Sequence, residues 1–182
     1  MTDAKPNLIL IGLRASGKST FGRRLADSLD RAFVDLDDTS AALLDASGAG
    51  EAIERHGIDA FRDAETQALG SALKAADQVI ALGGGTPTAP GCADMLEASQ
   101  HTKASRMIYL RALPDTLRDR LSQADNSDRP PLVGGDVLDE VQTLFDQRDG
   151  LYRKLAESVI HTDGVSEESV MAGLVAIAKA DL

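Results

Sequence analysis

Short apolar segments alternate along the chain with longer stretches in which apolar positions recur at helical spacing. Five segments have the length and the aliphatic or β-branched composition of buried strands, at residues 7–11, 31–35, 78–82, 106–110 and 158–161. Strands that alternate with helices in this way are typical of βαβ units. The pattern therefore predicts an α/β fold with a parallel sheet.

Three stretches carry the helical pattern most clearly. Residues 20–29 follow the first predicted strand, residues 59–76 carry a stripe of apolar positions, and Ser166 precedes a stripe that begins at Val170 and predicts a closing helix. Residues 122–136 are rich in turn-forming residues and lack apolar periodicity, which predicts a mobile loop. The alternative is an ordinary surface connection.

Composition narrows the class of protein. With 182 residues, 43% of them hydrophobic, we expect a single globular domain over residues 1–182. A net charge of −10 disfavours nucleic-acid binding, and no apolar run approaches the roughly 20 residues that cross a bilayer. No signal-peptide pattern is found, so we expect a cytoplasmic protein without a membrane partner. Cys92 is the only cysteine, which excludes an intramolecular disulfide.

A phosphate-binding motif follows the first predicted strand and precedes a helix. Residues 12–19 match the pattern G-x-x-x-x-G-K-[ST], in which backbone N–H groups surround phosphate oxygens, Lys18 reaches the β- and γ-phosphates and Ser19 contributes an oxygen to Mg²⁺. A chance glycine-rich turn is the alternative. The predicted nucleotide-binding residues here are Gly12, Leu13, Arg14, Ala15, Ser16, Gly17, Lys18, Ser19 and Thr20.

Two aspartates stand where the second predicted strand ends. If the chain remains extended there, Asp35 and Asp37 project to the same side, at the sheet edge that faces the ligand in open α/β sheets. One could hold a water on the metal, and the other could accept a proton from an acceptor hydroxyl. In the alternative interpretation, Asp37 or Asp38 only caps a helix.

Arginines and a glycine run supply the remaining candidate chemistry. Arg62, near the start of the second helix, is suited to a carboxylate, or alternatively forms a surface pair with Glu65. Three consecutive glycines at 83–85 indicate close approach by a ligand or positive φ angles, or else a flexible turn. Arg129 in the predicted loop can neutralise charge on a transferring phosphoryl group, or is an ordinary surface residue.

These motifs, in this order, resemble those of the shikimate kinase family. The resemblance spans residues 8–156 and rests on Gly12 to Ser19, Asp35-Leu36-Asp37, Phe61-Arg62 with Glu65, Gly83 to Gly85, Arg129-Pro130 and Arg148 with Tyr152. It implies a nucleoside monophosphate kinase fold, a three-layer αβα architecture whose five-stranded parallel sheet has the order 2-3-1-4-5. It also implies a substrate-binding region at about residues 36–65 and a lid at about residues 120–136.

The resemblance implies a role for each matching residue. Asp37 would hold the shikimate hydroxyls and act as the base, Asp35 would support Mg²⁺ through water, and Lys18 and Arg129 would serve the phosphoryl group. Arg120 would stack on adenine, and Arg129 would also contact the nucleotide. The residues matching the shikimate site are Asp37, Arg62, Gly83, Gly84, Gly85 and Arg148.

The activity that follows is Mg²⁺-dependent transfer of the γ-phosphoryl group of ATP to the 3-hydroxyl of shikimate, by a monomer whose partners are these small molecules. Two departures from the family pattern, Ile58-Asp59 after Gly57 and Pro131 after Arg129-Pro130, bear on substrate affinity. The alternatives are a kinase for another hydroxylated acid or sugar, such as gluconate, and a non-catalytic module that senses shikimate with ATP.

Overall fold

A parallel sheet lies at the centre of the protein. The computed structural model describes residues 5–123 and 140–180, and its sheet has five strands in the order β2-β3-β1-β4-β5. The strands are β1 (Asn7–Ile11), β2 (Ala32–Asp35), β3 (Gln78–Ala81), β4 (Ser105–Arg111) and β5 (Ser158–His161). All neighbouring strands pair in parallel, which confirms the predicted fold class. The predicted start of β2, the predicted end of β3 and both predicted bounds of β4 were each wrong by one residue.

Helices connect the strands. They are α1 (Lys18–Leu29), α2 (Leu36–Ala42), α3 (Ala49–Ala72), α4 (Cys92–His101), α5 (Pro114–Gln123), α6 (Glu140–Leu155) and α7 (Glu167–Lys179), together with a 3₁₀ turn at Thr86–Thr88. The helix after β1 begins at Lys18, two residues before the predicted start. Ser166 caps α7 as predicted, because its side chain accepts a hydrogen bond from the amide of Ser169. Within residues 5–123 and 140–180, no helix has the length and apolar character needed to span a membrane.

The predicted helix at residues 59–76 corresponds to the part of α3 that follows Gly57, and only its end was wrong. The helix α3 begins at Ala49 and is interrupted at Gly57, where φ is 85° and ψ is 164°. It ends at Ala72, and Ala76, the last position of the predicted apolar stripe, is exposed. Leu73 lies beyond the end of the helix but packs against the same core cluster, so the apolar stripe alone could not mark the end. The part of α3 that follows Gly57 carries Arg62 and Glu65.

The predicted loop begins inside a helix. Residues 120–123 belong to α5, so the predicted start of the loop at 122 was wrong by two residues, whereas the lid at about residues 120–136 stays a prediction. Residues 124–136, and Arg129 with them, lie outside the described residues.

Helices cover the sheet on both faces. Every residue of β1 is buried, and its side chains alternate between two core clusters. Ile9 and Ile11 pack with residues of α3, α4, α5 and α6, whereas Leu8 and Leu10 pack with residues of α1 and α7. This is the three-layer αβα arrangement. The carboxyl ends of β1, β2 and β3 meet at one edge of the sheet, where the candidate site lies.

Candidate active site

The loop between β1 and α1 has a backbone that only its glycines permit. At Gly12 φ is 155°, and a Cβ atom there would lie 2.6 Å from the carbonyl oxygen of Leu110. Gly17 immediately precedes α1 with φ at 94°. Because Gly17 has no side chain to cap the helix, the first amide groups of α1 can serve an anion.

Lys18 brings a positive charge to this loop. Its side chain folds back so that Nζ donates a hydrogen bond of 2.9 Å to the carbonyl oxygen of Leu13. The residue is only 8% exposed. Lys18, Ser19 and Thr20 line one cavity, which we call the loop cavity.

The two aspartates after β2 do not follow the extended pattern predicted for them. The strand ends at Asp35, whose Oδ1 accepts a 3.1 Å hydrogen bond from the amide of Asp37. Asp35 therefore caps α2, and the prediction that Asp37 or Asp38 is the capping residue was wrong. Because the helix starts at Leu36, Asp37 lies in its first turn rather than on a strand.

Arg62 is paired with Glu65, as the alternative interpretation predicted, but the pair is not on the surface. Arg62 Nη1 donates to Glu65 Oε2, and the side chains of Arg62 and Glu65 are 19% and 1% exposed. The other oxygen of Glu65 accepts a 2.5 Å hydrogen bond from the hydroxyl of Thr86. Arg62 thus lines a cavity, and the buried carboxylate of Glu65 fixes the position of its guanidinium group.

Burial changes the acidity of Glu65. Removal from water raises the pKa of this carboxyl group above its ordinary value of 4.5, and the negative charge of Asp37 acts in the same direction. Arg62 and Thr86 act to lower it, without reversing the effect of burial.

Glu65 should therefore make stability depend on pH. The unfolded chain releases the Glu65 proton near pH 4.5, whereas the folded protein retains it to higher pH because the folded-state pKa is raised. The folded state binds more protons in this window, so this contribution to stability is complete below pH 4.5 and is lost as pH rises through the folded-state pKa.

Urea unfolding between about pH 4 and pH 8 measures this effect as the difference between wild-type protein and Glu65→Gln. We expect the free energy of unfolding of the wild type, relative to the variant, to fall with rising pH. Asp37, Arg62 and Thr86 are the same in both proteins. A difference that stays constant across the range would contradict the raised pKa.

The three glycines after β3 make room for side chains of the protein itself. None of them has a positive φ. A Cβ atom on Gly83 would collide with the carboxylates of Asp37 and Glu65, and one on Gly85 would collide with the guanidinium group of Arg62. Gly84 lies against the loop after β1, where a Cβ atom would be 3.1 Å from the amide nitrogen of Arg14.

Arg148 and Arg120 reach the site from α6 and α5. Arg148 is 8% exposed, and its Nη1 donates to the carbonyl oxygen of Gly84 at 2.8 Å. Arg120 Nη1 donates to the carbonyl oxygen of Ala15 at 3.2 Å and to Thr162 Oγ1 at 3.1 Å. A third bond joins Arg120 Nη2 to the carbonyl oxygen of Thr162, so the guanidinium plane is fixed beside the loop.

A second cavity adjoins the loop cavity. It is lined by Arg62, Gly85 and Arg148 among others, and we call it the arginine cavity. Arg14, Asp37 and Gly84 line both cavities. The predicted site residues therefore lie in one region, although they come from the loop after β1, from α2, from α3, from the glycine run and from α6. Asp35 is the exception, because it caps α2.

The sequence analysis did not predict several of the residues that line the arginine cavity. The cavity has an apolar wall to which Phe61, Leu117, Leu121, Val141 and Leu144 contribute. The spacing of four between Leu117 and Leu121 is typical of a buried helix face and could have indicated part of it. Thr86 gave no sequence signal beyond its place after the glycines.

Within the described residues no group of three or more His, Cys, Asp or Glu side chains could hold a metal ion.

Comparisons with known proteins match most of the chain. A family model described as shikimate kinase matches residues 14–179. "Shikimate kinase 2" of Shigella boydii is 40% identical over 165 residues, which cover 89% of this chain and 88% of the relative. The structure of shikimate kinase from Acinetobacter baumannii in complex with shikimate gives a TM-score of 0.83 at 26% identity, covering 95% of this chain and 92% of that one. Shikimate kinase from Bacteroides thetaiotaomicron gives 0.77 at 25% identity, covering 94% and 95%.

The family model begins within the loop after β1 and extends through α3, α5 and α6, the helices that carry the arginines. One protein similar in sequence and two similar in structure bear the same family name, and each is matched over most of its length. The chain belongs to the shikimate kinase family of ATP-dependent kinases.

Proposed function

We propose that this chain transfers the γ-phosphoryl group of ATP to the 3-hydroxyl group of shikimate and releases ADP and shikimate 3-phosphate. Family membership supports this reaction. The observation that carries it is the common wall: Asp37 and Gly84 line the loop cavity and the arginine cavity alike. Because the two cavities share these residues they are neighbours, and a phosphate in one and a hydroxyl in the other would both lie next to Asp37.

The loop cavity is the proposed nucleotide site. Amide groups of residues 12–20 would surround the phosphates, and Lys18 would neutralise charge on the transferring group. Arg120, held in one plane by its edge hydrogen bonds, would offer a flat face to adenine. Arg129 keeps its proposed role at the phosphoryl group and lies outside the described residues.

The donor set of this region suits Mg²⁺, which prefers oxygen ligands and retains waters. The Ser19 hydroxyl lines the loop cavity, and Asp35 has a second carboxylate oxygen besides the one that caps α2. We infer that these two residues hold the ion, Asp35 through water. When bound, the ion offsets negative charge on the phosphate oxygens.

The arginine cavity is the proposed shikimate site. The guanidinium groups of Arg62 and Arg148 would bind the carboxylate, while the apolar wall contacts the ring. Asp37 would hydrogen-bond the acceptor hydroxyl and take its proton as the oxygen attacks phosphorus. The backbone of residues 83–85 would complete the wall that the ring approaches.

The expected monomer stays a prediction. Sedimentation at assay concentrations, with and without ATP and shikimate, tests this expectation.

Gly85→Ala should weaken shikimate binding selectively. The added methyl group would collide with the guanidinium group of Arg62 and push it out of place. We expect the KM for shikimate to rise by about tenfold and the KM for ATP to stay within about twofold, because a displaced bidentate contact costs on the order of 1–2 kcal/mol. Steady-state kinetics with each substrate varied in turn measures both values.

Gly150→Ala is the matched control. Gly150 lies in α6, is exposed, and has no atom within 4 Å of the added Cβ position. We expect unchanged kinetics and a gain in stability of about 0.4–1 kcal/mol. If Gly85→Ala binds shikimate as well as Gly150→Ala does, the packing of Arg62 on this glycine is not needed for substrate binding.

A coupled assay of ADP release tests the proposed reaction. Purified protein is supplied with ATP, Mg²⁺ and one acceptor at a time from a panel that includes shikimate and gluconate. We expect rapid release with shikimate and weak release with acceptors that lack a carboxylate, because unpaired buried arginines disfavour binding. We also expect weak release with gluconate, whose open chain does not hold its carboxylate and hydroxyl groups in the arrangement of the ring. A preference for gluconate would contradict the proposed substrate. Calorimetric binding of shikimate without phosphate transfer would indicate a non-catalytic module instead.

A further inference from the structure

The carbonyl oxygen of Gly84 accepts hydrogen bonds from two side chains of α6. Arg148 Nη1 donates at 2.8 Å, and the hydroxyl of Tyr152 donates at 2.5 Å. Tyr152 follows Arg148 by four positions and therefore lies one helical turn away on the same face. The two donors meet on the carbonyl oxygen of Gly84, a residue that lines both cavities.

We propose that Tyr152 is a positioning residue for substrate binding. Its hydroxyl holds the Gly84 carbonyl in the orientation at which Arg148, bound to the same oxygen, presents its other N–H groups to the acceptor carboxylate. The inference rests on the proposed function, since Arg148 has this role only if the arginine cavity binds an anionic acceptor. Tyr152 is 0% exposed and so acts through Gly84 and Arg148 rather than on the substrate.

The hydroxyl of Tyr152 is itself held in place. Its ring packs edge-on against the ring of Tyr109, with centroids 5.4 Å apart and an interplanar angle of 86°. The Tyr109 hydroxyl donates to Asp149 at 3.0 Å, and Arg111 Nε donates to the same carboxylate oxygen at 2.7 Å. The edge-on ring contact sets the position of the Tyr152 ring, whereas the Tyr109 hydroxyl bond lies beyond it, at Asp149.

The hydroxyl also keeps its proton. Burial raises the pKa of Tyr152 to about 12, although the charge of Arg148 acts in the opposite direction. At neutral pH the group therefore remains a donor. On the opposite side Gly84 lies close to the amide nitrogen of Arg14, so the peptide is confined between the loop and α6.

Tyr109 offers a matched control for a packing effect. It is also buried, at 1% exposure, and it belongs to the same pair of rings. Its hydroxyl binds Asp149 instead of the glycine wall. Tyr152→Phe and Tyr109→Phe each remove one buried hydroxyl from this region and keep the ring, but only the first changes the hydrogen bonding of Gly84.

Steady-state kinetics with these two variants tests the proposal. For Tyr152→Phe we expect the KM for shikimate to rise about three- to tenfold, the effect of one lost hydrogen bond, with kcat and the KM for ATP within about twofold. For Tyr109→Phe we expect all three constants within about twofold. In an Arg148→Lys background, Tyr152→Phe should raise the KM for shikimate by less than about twofold, because the effect passes through Arg148.

Three results would overturn the inference: an unchanged KM for shikimate in Tyr152→Phe, an equal rise in Tyr109→Phe, or an undiminished rise in the Arg148→Lys background. Failure of Tyr152→Phe to fold would also overturn it, since the hydroxyl would then serve the whole structure. If the wild-type protein does not phosphorylate shikimate, both the proposed function and this inference are wrong. If the wild-type protein is active and the KM for shikimate is unchanged in Tyr152→Phe, only the inference is wrong.

Discussion

Lys18→Ala is expected to lower kcat about 10²- to 10³-fold, the loss typical of removing one preorganised group from a charged transition state. Lys18 is 8% exposed and lines the loop cavity. A buried charge acts through a lower effective dielectric than an exposed one, so its removal is felt strongly at the transferring phosphoryl group. The KM for shikimate should change little, because Lys18 does not line the arginine cavity.

Lys154→Ala is the control for this variant. The Lys154 side chain is 71% exposed and pairs with Glu97 at 2.8 Å, so its removal changes the net charge equally without touching either cavity. We expect kcat within about twofold of wild type, as for most surface substitutions. Circular dichroism and thermal unfolding establish that both variants are folded. A Lys18→Ala enzyme that retains more than a tenth of the wild-type kcat would exclude the proposed role of Lys18.

Asp37→Asn is expected to lower kcat about 10²- to 10⁴-fold, the usual contribution of a general base. Asparagine keeps the size of the side chain and one hydrogen-bond acceptor, but it cannot take the proton of the attacking hydroxyl at neutral pH. Asp37 lines both cavities, so the effect should fall on the chemical step. Single-turnover phosphate transfer separates that step from substrate binding.

Asp38→Asn provides the neighbouring control, because Asp38 is exposed in the same first turn of α2. The substitution removes the same charge beside the same helix terminus. We expect kcat within about twofold of wild type. Equal losses in the two variants would assign the effect to charge at the start of α2 instead of proton transfer by Asp37.

The nucleotide half of the site was predictable because its constraints are local. Gly12 and Gly17 occupy positions where the backbone excludes other residues, and Lys18 follows at the spacing that the loop requires. The strand before the loop is buried on both faces and therefore carries a continuous apolar run. Backbone geometry of this kind restricts which residues can occupy a few consecutive positions, so it can be recognised in the sequence.

The acceptor half was predictable only in part, because its contacts join distant residues. Alternation along β2 could not show that Asp35 would cap a helix and end the strand before Asp37. The bond between Arg148 and Gly84 spans 64 residues of sequence, and the bond between Thr86 and Glu65 spans 21. No local period encodes such pairs, and here the family resemblance identified the arginine where spacing alone did not.

The buried pair of Arg62 and Glu65 constrains how this pocket can be redesigned. A variant meant to accept an uncharged sugar would need to lose Arg62, yet its loss alone would leave the carboxylate of Glu65 enclosed without its cation. Libraries that vary one position at a time would discard such variants for instability before any change in selectivity could be seen. Saturation of positions 62, 65 and 86 as a single block is the more promising starting point for directed evolution.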